Sequence, residues 1–348
     1  IMLVYEKKNN IGGNYEMRNI DQTITINGVE IANRLVMPPM ATSKSNQDGT
    51  VSQDLCDYYD EKSVGGHIGL IITEHCYINK EGKASLGQMS IDTNCDIEGL
   101  KKLTDTIHHN STKVFCQINH AGGATTNEIT GQEVLSASSI LIPRSKATQM
   151  TPREMNEADI QKVIDDFTSA ALRAKEAGYD GVEIHSAHGY LLNQFYSPLT
   201  NRRNDLYNGS TLEGRIKLHL QVIAAVKKAV GDDYPIALRL GACDFTEGGS
   251  TIEDAVNACV AFEKQGVNLL DISGGFCGYI HPSNKEQGYF NEITQAIKEK
   301  VSIPVLLTGG IVDVQAAEKL LEEKKADLIG VGRAILKDSN WAKEAMNL

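Results

Sequence analysis

Short apolar runs, each closed by turn-forming or polar residues, recur eight times along the chain. They stand at 35–37, 68–73, 114–118, 181–184, 236–240, 269–273, 305–308 and 328–331. Val, Ile and Leu dominate them without the regular polar alternation of a half-solvated strand, as parallel strands covered on both faces require. Between the runs the apolar positions take a helical period. The spacing of Ile160, Val163, Ile164, Phe167, Ala171 and Ala174 predicts a helix over 157–177, with Gly178 as its stop. Ser210-Thr211-Leu212-Glu213 has the form of a capping box ahead of another apolar-striped helix. Residues 23–32 alternate around Asn27-Gly28 and read as a β-hairpin.

Eight strands alternating with helices fit one (β/α)8 TIM barrel, an α/β fold, better than an open doubly wound sheet. No Gly-rich dinucleotide fingerprint follows the first strand. The 348 residues exceed the roughly 250 of a plain barrel, so the surplus is expected in long βα loops. Residues 119–156 and 274–289, rich in Gly, Ser, Thr, Pro and Asn, are the candidates. The hairpin is expected to cap the barrel end opposite the active site. Residues 1–22 read as an N-terminal extension with no assigned function, ahead of a barrel over 23–348.

Composition removes several function classes. No apolar run approaches the roughly 18 residues of a membrane span, and no secretory leader opens the chain, so a cytoplasmic protein away from membranes is expected. Seven cysteines at 56, 76, 95, 116, 243, 259 and 277 are too scattered for a zinc ribbon, an iron–sulfur cluster or a disulfide framework. They read as reduced thiols, mostly buried. A formal charge of −11, from 34 basic and 45 acidic residues without a dense basic block, disfavours nucleic acid as a partner.

Barrel enzymes carry their chemistry at the C-terminal ends of the strands. Those ends bring Pro38-Pro39-Met40-Ala41, Glu74-His75, Gln117, His185, His188, Arg239, Gly309-Gly310 and Gly332-Arg333 toward one ring. The glycines follow the seventh and eighth strands, where backbone N–H groups often bind phosphate. A flavin mononucleotide or a phosphorylated substrate would suit them. Arg239 is either a structural partner of an acid such as Glu183 or a fixed charge beside a flavin's pyrimidine edge. Gln117 admits the same choice. His185 and His188 could be metal ligands, a helix-entry pair or neutral donors to a carbonyl or phenolate oxygen; a metal would want a third ligand that no nearby pattern supplies, and the donor pair fits better with Tyr190 as an acid.

The run HSAHGYLLNQFYSPLTNRRNDLYNGST (185–211), with NRLVMPPMA (33–41), QINHAG (117–122), LRL (238–240), TGG (308–310) and GVGRA (330–334), resembles the Old Yellow Enzyme family of FMN-dependent NADH:flavin oxidoreductases. The likeness runs in the family's order from about residue 20 to 345. It implies that Pro38, Pro39, Met40, Ala41 and His75 lie along the flavin edge, and that Gln117 and Arg239 bond its pyrimidine side. Gly309, Gly310, Gly332 and Arg333 would hold the phosphate. His185 and His188 match the pair that grips the substrate oxygen, and Tyr190 matches the proton donor.

The implied reaction is ping-pong. NADH or NADPH reduces the bound FMN, then an α,β-unsaturated carbonyl compound takes hydride at Cβ and a proton from Tyr190 at Cα. Three positions depart from the family pattern: Ala41 replaces a Cys or Thr, His75 replaces a small residue, and Ser43 stands where some relatives place a substrate-contacting tyrosine. Because the chain ends soon after its eighth strand, the added modules of the longer dienoyl-CoA reductases are not expected. Alternatives remain in an acceptor that is a quinone, a nitro compound or oxygen, and in a flavin-free lyase acting on a phosphorylated substrate. A non-catalytic flavin-binding protein is a further alternative. A homo-oligomer is left open.

Overall fold

The computed structural model describes residues 17–143 and 150–347. Eight parallel strands, β1 (Leu35–Met37), β2 (Leu70–Ile72), β3 (Lys113–Asn119), β4 (Gly181–Ser186), β5 (Ile236–Cys243), β6 (Leu269–Gly274), β7 (Val305–Thr308) and β8 (Leu328–Gly330), pair in sequence order. The sheet closes where β8 pairs with β1, Gly330 beside Val36. The expected TIM barrel is therefore present, and every apolar run became one of its strands. A two-residue strand, Cys76–Tyr77, adds to the edge of β3 and has no counterpart in the sequence pattern.

Inside the barrel Val36, Leu70, Ile72, Phe115, Ala237, Leu269, Leu306 and Leu328 pack together, and Ile26 and Ile31 of the N-terminal hairpin join them. Most of these are at or near strand starts, so the hairpin plugs the end away from the strand termini. Its turn residues Asn27 and Gly28 have φ of 44° and 84°, the left-handed pair a two-residue hairpin turn demands. Burying the two isoleucines contributes at most about 3–6 kcal/mol. A second apolar shell, including Phe167, Leu218, Val222 and Phe262, lies between strands and helices.

The clearest expected helix spans Glu157–Glu176, capped by Asn156 and Asp159 acting reciprocally. The capping box expected at Ser210 does not form; a one-sided cap sits one residue later, because the residue three beyond Thr211 is Gly214, which has no side chain to reciprocate. Thr211 caps helix Leu212–Val230 by accepting from Gly214 N, while Ser210 Oγ donates to Asn208 Oδ1 at 2.9 Å. A turn at Asn19–Asp21 was not legible, because its partner is remote: the Glu318 carboxylate accepts from Asn19 N, Asn19 Nδ2 and Ile20 N. The expectations for residues 1–16 and for 144–149 of the 119–156 loop lie outside the described residues.

Candidate active site

Segment 186–196 turns sharply at the end of β4. His188 takes φ +60° and Gly189 +79°, so the chain reverses within two residues and Tyr190 becomes the N-cap of helix Leu191–Tyr196. Gln194 locks the turn. Its Nε2 donates to Gly189 O at 2.7 Å and Ala121 O at 3.0 Å, while its Oε1 accepts from Gly123 N at 2.9 Å and Ser136 Oγ at 2.8 Å. One buried amide thus ties the loop after β4 to the loop after β3.

The result is a cluster of four rings. His185 lies 5.4 Å from His188 and 5.1 Å from Tyr190, centroid to centroid, and His75 at the end of β2 lies 5.2 Å from Tyr190 and 6.0 Å from His185. Burial, reinforced by neighbouring imidazoles and the Arg239 charge, holds the pKa of His185 and His188 well below the usual histidine range. Both are neutral and can donate an N–H without being acids. Burial also raises the Tyr190 pKa, so its phenol keeps its proton. His188 Nε2 lies 2.8 Å from Ser273 Oγ, and Tyr279, on the loop after β6, places its ring 6.3 Å from that of His188.

Below the rings is a charged floor. Gln117 Nε2 donates to Glu183 Oε1 at 2.8 Å across β3 and β4, and Arg239 Nε lies 3.1 Å from Asp271 Oδ2 across β5 and β6. The expected structural pairing of Arg239 with Glu183 is replaced by this one. Register explains it: Arg239 stands level with Asp271, whereas Glu183 is level with Gln117 and Ala237. Glu183 and Asp271 are both fully buried, and burial raises the pKa of each, Glu183 further through the Asp271 charge.

The glycine edges meet the end of β1. A Cβ on Gly332 would come within 3.2 Å of Met40 Sδ and 3.4 Å of Pro38 Cγ; one on Gly310, at φ +69°, would lie 2.6 Å from Tyr289 Cε1 and 3.6 Å from Arg333 Nη2. Pro38 is buried, Pro39 and Met40 are half-buried, and Arg333 is exposed at the start of its helix. Ala41 and Ser43 are exposed on a loop anchored by Glu74, whose Oε2 accepts from Thr42 Oγ1 at 2.5 Å and Thr42 N at 3.2 Å. Burial pushes Glu74 up to about 7 against the lowering effect of those two bonds.

These residues fit a flavin mononucleotide. Gln117 and Arg239 supply polar groups at one end, the side-chain-free glycine edge with Arg333 lies at the other, and His185 Nδ1 and Thr308 Oγ1 are buried without a protein partner. Buried polar atoms of that kind call for a ligand or water. Sequence reasoning gave no role to Glu74, Gln88, Asn119, Asp271 or Ser273. Glu74, Asp271 and Ser273 lay within or at the end of strand runs and Asn119 within the 117–122 motif, so they were readable as candidates; Gln88 depends on tertiary contacts.

The chain matches the NADH:flavin oxidoreductase / NADH oxidase family over residues 20–347. It is 42% identical over 327 residues to an NADH oxidase of Thermoanaerobacter brockii, covering 92% of this chain and 49% of that protein. With an NADPH dehydrogenase of Bacillus subtilis it shares 34% identity over 330 residues, covering 94% of each. The chain thus spans about half the length of the first relative and nearly all of the second. The solved Old Yellow Enzyme homologue of Zymomonas mobilis superposes with a TM-score of 0.82 at 22% identity, over 94% of this chain and 92% of that one.

Proposed function

The chain belongs to the NADH:flavin oxidoreductase / NADH oxidase family, the Old Yellow Enzyme family, and on that premise we propose that it is an FMN-dependent oxidoreductase using NADH or NADPH to reduce the activated C=C bond of α,β-unsaturated carbonyl compounds. The observation that carries this reading is the ring cluster, in which two neutral imidazoles stand beside a protonated phenol. When bound, the flavin relays two electrons from nicotinamide to acceptor. Gln117 and Arg239 would hold its pyrimidine edge, Pro38, Pro39, Met40, Ala41 and His75 would border its ring, and Gly309, Gly310, Gly332 and Arg333 would take its phosphate.

His185 and His188 donate N–H groups to the acceptor's oxygen, which draws density from the alkene and favours attack at Cβ. Tyr190 supplies the proton at Cα. A raised phenol pKa is no obstacle, because the enolate it protonates is the stronger base. Ser43, exposed on its loop, would contact the acceptor from the mouth of the site. Among the described residues no helix is long and apolar enough to cross a membrane. We place the protein in the cytoplasm, acting on small molecules. A second reading takes oxygen, a quinone or a nitro compound as the acceptor, and likeness to an NADH oxidase favours oxygen among them.

Tyr190→Phe separates the half-reactions. Enone reduction should fall by about 10²–10⁴, the usual worth of a general acid, while flavin reduction by NAD(P)H keeps its rate in stopped flow. Unchanged turnover of enones would refute the tyrosine's role.

A further inference from the structure

The surroundings of His75, in the ring cluster, fix its tautomer. Its Nδ1 lies 2.9 Å from Gln88 Nε2 and 3.1 Å from Asn119 Nδ2. The Gln88 amide cannot be reversed, because its Oε1 accepts from Ala84 N at 2.6 Å while Nε2 also donates to His75 O at 3.1 Å. An amide nitrogen only donates, so the network assigns Nδ1 as an acceptor. Burial, with the Arg239 charge behind it, brings the ring's pKa down to about 4, so it stays neutral. Its one proton therefore sits on Nε2. The ring itself stands in the cluster, tilted over Tyr190 and edge-on to His185.

We propose that His75 is a third hydrogen-bond donor to the electron acceptor, beside His185 and His188, and that it selects acceptors bearing a second oxygen next to the activating one: nitro compounds, ortho-quinones and alkenes conjugated to a carboxylate. This rests on the oxidoreductase reading above. A single carbonyl oxygen has two lone pairs, which His185 and His188 already fill. With a simple enone the third donor goes unanswered. With two neighbouring oxygens it is satisfied, and Gln88 and Asn119 hold the imidazole in the donating form before the acceptor arrives.

Two measurements test this. In nitrogen NMR of the wild-type protein, the His75 ring should show an unprotonated Nδ1 and a protonated Nε2 across neutral pH, and the tautomer should become mixed in Gln88→Leu. A protonated Nδ1 in the wild type overturns the proposal, whatever the flavin does. Spectral titration of the oxidised holoprotein with benzoate, which has two oxygens, and phenol, which has one, reads the selectivity. His75→Phe keeps the ring and removes the donor. Benzoate affinity should fall about tenfold, the worth of one hydrogen bond, with phenol affinity changed less than about twofold. Equal loss for both ligands, or no loss for benzoate, overturns the selectivity. If neither ligand perturbs the wild-type flavin, the selectivity is overturned, whereas a protein that binds no flavin overturns the oxidoreductase reading; the tautomer result stands by itself.

Discussion

Removing the Asp244 carboxylate should destabilise the loops that frame the ring cluster. Asp244 is fully buried just beyond β5. Its Oδ2 accepts from Ser197 Oγ at 2.5 Å, Ser250 N at 2.8 Å and Ser250 Oγ at 3.0 Å, and its Oδ1 accepts from Phe276 N at 2.8 Å. Ser197 ends the helix that Tyr190 begins, and the Phe276 ring lies against Gly189, where an added Cβ would meet Cε1 at 3.0 Å. One side chain thus joins three loops. In Asp244→Ala the two hydroxyls can turn elsewhere, but two backbone N–H groups lose the carboxylate at a cost of about 1–3 kcal/mol each. Relief of desolvation offsets part of this, leaving a loss of about 3 kcal/mol, or a Tm drop of roughly 4 °C for a chain of this size. Asp244→Asn keeps one carbonyl oxygen and should lose about half as much. Thermal unfolding followed by circular dichroism reads both. If the alanine variant unfolds within about 1 kcal/mol of wild type, or the asparagine variant is the weaker of the two, the joining role is refuted.

Two further predictions follow from the site. Glu74, raised from 4.5 to about 7, binds its proton more tightly folded than unfolded; its contribution is fully present below about pH 4.5 and is lost as pH rises through 7, a change of about 3 kcal/mol. Glu74→Gln should therefore raise Tm relative to wild type at pH 8 and not at pH 4.5, and a pH-independent difference would contradict the assignment. Gly310→Ala places a side chain at φ +69°, against Tyr289 and on the edge assigned to phosphate. Titration of the apoprotein should show FMN affinity down by tenfold or more with the barrel still folded; unchanged affinity would remove Gly310 from the cradle.

The barrel was legible because each strand is buried on both faces and so reads as an unbroken apolar run, and because Asn27-Gly28 can hardly be anything but a hairpin turn. The ring cluster was legible for a related reason. Strand ends point to one mouth, so His75, His185, His188 and Tyr190 could be placed together without knowing any distance. What failed depended on register or remote contacts. One of the two readings of Arg239 paired it with an acid such as Glu183, but sheet register puts Asp271 opposite it. The Asn19–Asp21 turn is held by Glu318, about 300 residues away, and no local pattern reports that. The Gln88 and Asn119 clamp on His75 is likewise assembled from three separate loops and strand ends.

The most direct test of the account is the visible spectrum of the purified protein, recorded anaerobically, then after NADH or NADPH, then after 2-cyclohexenone. The account predicts a yellow protein that nicotinamide bleaches and the enone recolours. A flavin that stays bleached with the enone and reoxidises only with quinone, nitro compound or oxygen would contradict alkene reduction, and a protein that binds no FMN would contradict the whole assignment.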